Sequence, residues 1–202
     1  YVHSSDIFSF LEEKYTKKNN DTAFVTKLKI NKILQNKPYI QIPASLTTKK
    51  NANESGTFQI KRKNILLNGI ITESNREIVE RNLVDYKILQ NNYKISKNYI
   101  FFKNIVNLST IEIIVELNKI YNNKKFPLNK KDKWFFTMLE LNKKLPIYEN
   151  QTIKITLVQK ILNKITKSKI EINKILYGYI FFSRVNSIWY ILKKLNTSFP
   201  GQ

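Results

Sequence analysis

Apolar positions recur along this chain with more than one spacing, and each spacing predicts an element. Between Asp21 and Lys37, Phe24, Leu28 and the pair Ile33/Leu34 share one face of a helix, with lysines elsewhere. Asp21 suits the N-cap of that helix, and Pro38 disfavours helical backbone at Lys37 and ends it. Ile153, Leu157, Ile161 and Ile165 recur every four residues. Val158 and Leu162 widen the stripe, and Lys154, Lys160, Lys164 and Lys167 fall outside it, as in an amphipathic helix. "NKKDKWFFTMLELNKK" reads as a further helix, separated from that one by Pro146. "STIE", Ser109 to Glu112, is a capping box before "IIVELNKIY", and "SNRE", Ser74 to Glu77, is another before "IVERNLVDY".

Shorter runs predict strands. Tyr39 to Ile42 lies between Pro38 and Pro43, which places it at a sheet edge or a strand end. "GTFQI" and "NILLNGIITE" follow the polar loop "TTKKNANESG", with Asn68-Gly69 suited to a tight hairpin turn. "NYIFFK" is another strand. "SDIFSFLEEKYTKK" fits either a short strand or a helix start. These readings add up to an α+β chain, mostly helical, with short antiparallel strands and a hairpin.

Composition narrows the function. Of 202 residues, 42% are apolar and 12% aromatic, enough for a buried core in one domain or two small ones. Lys+Arg number 35 against 15 Asp+Glu, a net charge of +20 that opposes compaction unless a polyanion offsets it. Abundant Lys, Asn, Ile, Tyr and Phe are what an AT-rich coding sequence imposes, so part of the lysine excess is drift. Drift alone does not explain so few acids where asparagine is plentiful. There is no cysteine, which excludes disulfides and cysteine metal sites. No signal-peptide pattern opens the chain. The most apolar stretch, Lys174 to Lys194, contains Arg184 and Asn186, so it reads as buried helix or helix-plus-strand rather than a membrane span.

Catalytic signatures are sparse. No Gly-rich phosphate loop and no metal-ligand spacing occur, and His3 is the lone histidine. Glu12 and Glu13 are adjacent and read as a solvated helix face. Basic clusters run throughout, and a lysine contributes a point charge to a phosphate without reading a base. Tyr15, Tyr93, Tyr99, Trp134 and Trp189 interleave with them and offer faces for stacking on bases, though most suit the core.

Four segments carry a family resemblance. "YVHSSDIFSFLEEKYTKK", "LQNKPYIQIP", "ESGTFQIKRK" and "SNREIVERNLVDY" resemble, in order, the end of the RNA-binding domain of the small-subunit ribosomal protein S-four family. "SRVNSIWYILKKLNTSFPGQ" resembles that domain's opening, with Arg184 and Tyr190 on the family's arginine and tyrosine. The opening segment here follows the closing one, and the family's central segment is absent. The resemblance divides the chain into residues 1–89, an S-four-like RNA-binding and tail region, and residues 90–202, a basic, mainly helical region. It implies a structural, non-enzymatic constituent of a mitochondrial small ribosomal subunit (with a plastid as the alternative), in the matrix and off the membrane. It also implies small-subunit rRNA, neighbouring ribosomal proteins and mRNA near the entry path as partners, and no cofactor or metal. The expected phosphate contacts are Lys14, Lys17, Lys18, Lys61, Arg62, Lys63, Arg184, Lys193 and Lys194. The rival readings are a small RNA nuclease or toxin using His3 with a nearby acid, a DNA-binding replication factor, and a peripheral membrane protein.

Overall fold

A computed structural model describes residues 2–16, 23–43, 53–78, 89, 92–103, 108–147 and 151–186. One antiparallel sheet of ten strands organises them. In chain order the strands are β1 (Phe24–Ile30), β2 (Pro38–Gln41), β3 (Glu54–Arg62), β4 (Ile65–Glu73), β5 (Tyr93–Ile95), β6 (Tyr99–Lys103), β7 (Asp132–Leu141), β8 (Thr152–Ile161), β9 (Ile165–Ile172) and β10 (Ile175–Asn186). Across the sheet they run β2-β4-β3-β1-β7-β10-β9-β8-β6-β5. Two helices, α1 (Ser4–Thr16) and α2 (Thr110–Lys125), pack into the same core. The strands before and after residue 89 meet at the centre, where Lys27, Leu28 and Lys29 of β1 face Glu140, Leu139 and Met138 of β7.

The expectation of a mostly helical chain is corrected. The segment read as a helix from Asp21 is strand β1, "NKKDKWFFTMLELNKK" contains strand β7, and the four-residue stripe from Ile153 is the β8–β9 hairpin. The "NILLNGIITE" strand is present, but its turn is not at Asn68-Gly69. Chain reversal occurs at Lys63-Asn64, with Arg62 facing Ile65. Asn68 and Gly69 lie inside β4, where the Phe58 ring packs against the bare Cα of Gly69. The apolar stretch from Lys174 is β10 as far as Asn186. Among the described residues no helix is long and apolar enough to cross a membrane. The helix expected after "SNRE" lies outside the described residues.

Other readings match the structure. The segment bracketed by Pro38 and Pro43 holds β2, which among the described residues is an edge strand paired with β4 alone. α2 begins at the expected capping box. The Ser109 hydroxyl accepts from the Glu112 N–H, and the Glu112 carboxylate accepts from the Ser109 N–H at 2.9 Å. Ile111, Ile113, Ile114, Leu117 and Tyr121 are then buried. Ser109→Ala removes one half of the cap and should lower unfolding stability by about 1 kcal/mol in a urea titration.

Candidate active site

Strand direction alternates across an antiparallel sheet, so two edges can be told apart. The β3–β4 turn, the β9–β10 turn, the end of β7 and the start of α2 share one edge. The β8–β9 turn and the end of β10 lie at the other. A cleft of about 270 Å³ opens at the first edge, between α1, the start of α2 and the segment after β7. Phe8, Ile111, Leu145, Pro146 and Ile147 form its apolar wall. Ser9, Glu12 and Glu13 from α1, Ser109 and Thr110 from α2, and Lys144 supply its polar groups.

Each side chain is placed by local physics. On α1, Ile7 and Leu11 are buried in the core, while Phe8 and Glu12, one turn apart on the same side of the helix, border the cleft. Glu12 is fixed there because its Oε1 accepts the Val25 N–H at 2.8 Å. Glu13, one position on, is exposed at the rim. Thr110 donates its hydroxyl to the Pro146 carbonyl, tying the start of α2 to the loop that closes the cleft. The 16-residue helix α2 directs its N-terminal turn, the positive end of its dipole, at this space. The Asp6 carboxyl, in the first turn of α1, is raised above the ordinary carboxylate value chiefly by desolvation, with His3 pulling it down and Glu112 adding to the rise. Asp6 is nevertheless solvent-exposed, which screens these fields, and it is not among the cleft's lining residues.

The expected phosphate contacts do not converge. Lys14 is on α1, its ammonium 5.5 Å from the Phe10 ring centre and 5.4 Å from that of Tyr15. Lys61, Arg62 and Lys63 stand exposed at the β3–β4 turn. Arg184 lies at the opposite edge, where its Nε donates to Asp132 Oδ2 at 2.9 Å and its Nη2 joins the same oxygen. Lys17, Lys18, Lys193 and Lys194 lie outside the described residues. Trp134 is buried, its Nε1–H bound to the Phe126 carbonyl at 3.3 Å. Of the cleft, the sequence points to Glu12, Glu13, the capping segment and Pro146, none of them for catalysis. The missed signal was the pairing of those two acids with a second helix N-terminus far along the chain.

The architecture overturns the ribosomal resemblance. "ESGTFQIKRK" supplies β3, and the segment likened to the opening of the RNA-binding domain starts in β10. Both belong to one continuous ten-stranded sheet rather than to a compact S-four domain. The ribosomal and rRNA-positioning role falls with it, as does the expectation of a chain with no chemical step, which rested on that role. The nuclease and DNA-factor readings gain no support either. Asp6, the acid beside His3, accepts the His3 backbone N–H at 3.3 Å in a helix-start turn.

No protein-family model matches the chain, and no curated protein does. Solved structures to which it is similar include the following two. One is described as a conserved protein of unknown function with hot dog fold from Alicyclobacillus acidocaldarius. It has a TM-score of 0.40 at 7% identity, covering 89% of this chain and 83% of that one. The other is described as an acyl-CoA thioesterase II from Mycobacterium marinum, with a TM-score of 0.38 at 7% identity, covering 87% and 84%.

Proposed function

We propose that the chain is a hydrolase of activated acyl compounds, thioesters first, working in the cleft between α1 and the start of α2. One observation carries this reading: an apolar wall, an anchored carboxylate and a helix N-terminus border the same cleft. At about 30 Å³ per water-sized group, its volume of about 270 Å³ suits a short acyl group.

The chemistry follows from these parts. Phe8, Ile111 and Leu145 hold the acyl chain. Glu12 accepts a proton from a water molecule as that water's oxygen attacks the carbonyl carbon. The oxygen of the tetrahedral intermediate gains negative charge, which the Thr110 and Ile111 N–H groups at the start of α2 stabilise, those of Ser109 and Glu112 being held in the capping box. When the carbon–sulfur bond breaks, the electron pair leaves on sulfur and the proton held by Glu12 returns to it. The products are a carboxylic acid and a thiol. Lys144, at the rim, attracts an anionic leaving part.

The test is hydrolysis of a series of acyl thioesters of increasing chain length, followed by a colorimetric thiol reagent. The chain has no cysteine of its own to react with the reagent. Turnover should be highest for short chains and fall once the acyl group outgrows the cleft. Absence of turnover across the series would overturn the reading.

A further inference from the structure

The sheet edge onto which the cleft opens has a surface that catalysis does not use. The β3–β4 turn carries Ile65, 62% exposed, and Leu66, 54% exposed, beside Lys61, Arg62 and Lys63. The β9–β10 turn carries Ile175, 48% exposed, and Leu176, 37% exposed, beside Lys174. The two turns lie about 20 Å apart along this edge, with β1 and β7 between them. Lys143 follows the end of β7 at the same edge. The nearest acids on the flanking strands are already paired, Glu140 with Lys27 at 2.9 Å and Glu171 with Lys169 at 3.2 Å.

We propose that this edge docks the protein on a lipid bilayer rich in anionic headgroups, with the two aliphatic turns dipping into the headgroup region and the cations around them on lipid phosphates. Stable adsorption needs an apolar insertion and a basic patch together, and this edge supplies both. Two projecting turns suit a flat surface. A nucleic acid would engage the cations but leave the four aliphatic side chains in water. At the opposite edge the β8–β9 turn exposes Val158, Ile161 and Leu162 (85% exposed) beside Lys160 and Lys164, but among the described residues it stands there as a single turn, and Lys160 is drawn over the Phe126 ring at 4.0 Å. Docking by the first edge would point the cleft at the bilayer, although the surface stands without the hydrolase reading.

Flotation of the full chain with phosphatidylcholine vesicles, with and without phosphatidylserine, tests it. Binding should require phosphatidylserine and weaken steeply with added salt. Leu66→Ser/Ile175→Ser and, separately, Lys61→Glu/Lys63→Glu should each weaken it about tenfold or more. Leu162→Ser, at the other edge, should leave it unchanged. All these positions are exposed, and circular dichroism checks that each variant keeps its fold. No flotation, equal loss in Leu162→Ser, or binding to polyglutamate in place of vesicles would each overturn the proposal. Thioester turnover in solution, measured alongside, reports on the cleft independently.

Discussion

Glu12→Gln should lower kcat for thioester hydrolysis by about 100-fold or more, the usual cost of losing a positioned general base. The substitution isolates chemistry from folding. Glutamine keeps an acceptor oxygen for the Val25 N–H that fixes the side chain at 2.8 Å, so α1 should stay seated on β1 and the melting temperature should change little. What glutamine cannot do is take a proton from water. The loss should therefore fall on kcat while the fold stays intact. KM should change much less than kcat, because the acyl group rests on Phe8, Ile111 and Leu145. Glu77→Gln, on an exposed segment away from the cleft, serves as the control. A Glu12→Gln enzyme within about threefold of wild type would mean that this carboxylate only anchors the helix.

The largest loss of stability is expected from Gly178→Ala. Gly178 sits on β10 next to an irregularity in its pairing with β9, at φ +153°, a backbone conformation that L side chains rarely adopt. A Cβ there would overlap the Glu140 carbonyl oxygen and lie 2.9 Å from the Leu141 Cα. Both obstacles are backbone of the neighbouring central strand, so no rotamer change relieves them. Backbone strain and overpacking together cost about 4 kcal/mol, which is a fall in melting temperature of roughly 10 °C for a domain of this size. Loss of no more than about 2 °C would show that β10 takes another path past Glu140.

The sequence was misleading in a specific physical way. A repeat of four residues is also a multiple of two, so Ile153, Leu157 and Ile161 fit one side of a strand as well as one face of a helix. The intervening Ile155 is buried beside Ile153 and is the better guide. Bulges compounded the error. The register of β1 slips between Val25 and Lys27, so its buried positions run Val25, Leu28, Ile30. On β7 an extra residue at Thr137 shifts the buried set from Trp134 and Phe136 to Leu139 and Leu141. Each slip inserts a spacing of three and imitates a helix. The hairpin turns carried no glycine signal either. Leu162-Asn163 and Asn173-Lys174 adopt positive φ with ordinary residues, held by the strands they join.

Local chemistry was legible where it did not depend on distant partners. The capping box at Ser109 and the proline-bracketed edge at β2 are both decided within a few residues. The cleft is not. It needs α1 and the start of α2, about a hundred positions apart in sequence, and the pairing of β1 with β7 brings together the two halves that carry them. The net charge was visible, but composition could not say that Lys61, Arg62, Lys63 and Lys174 share an edge. That follows from strand direction alone.

The β1–β7 pairing has a further consequence for how the molecule comes apart. These strands lie in the middle of the sheet, and parting them would bare two long rows of unmatched N–H and C=O groups along with the apolar side chains beneath. Neither half can melt while its neighbour stays intact without exposing such a row. Heat or denaturant should therefore dismantle the described structure in a single cooperative step, and fragments made by cutting between the halves should seek each other out or clump.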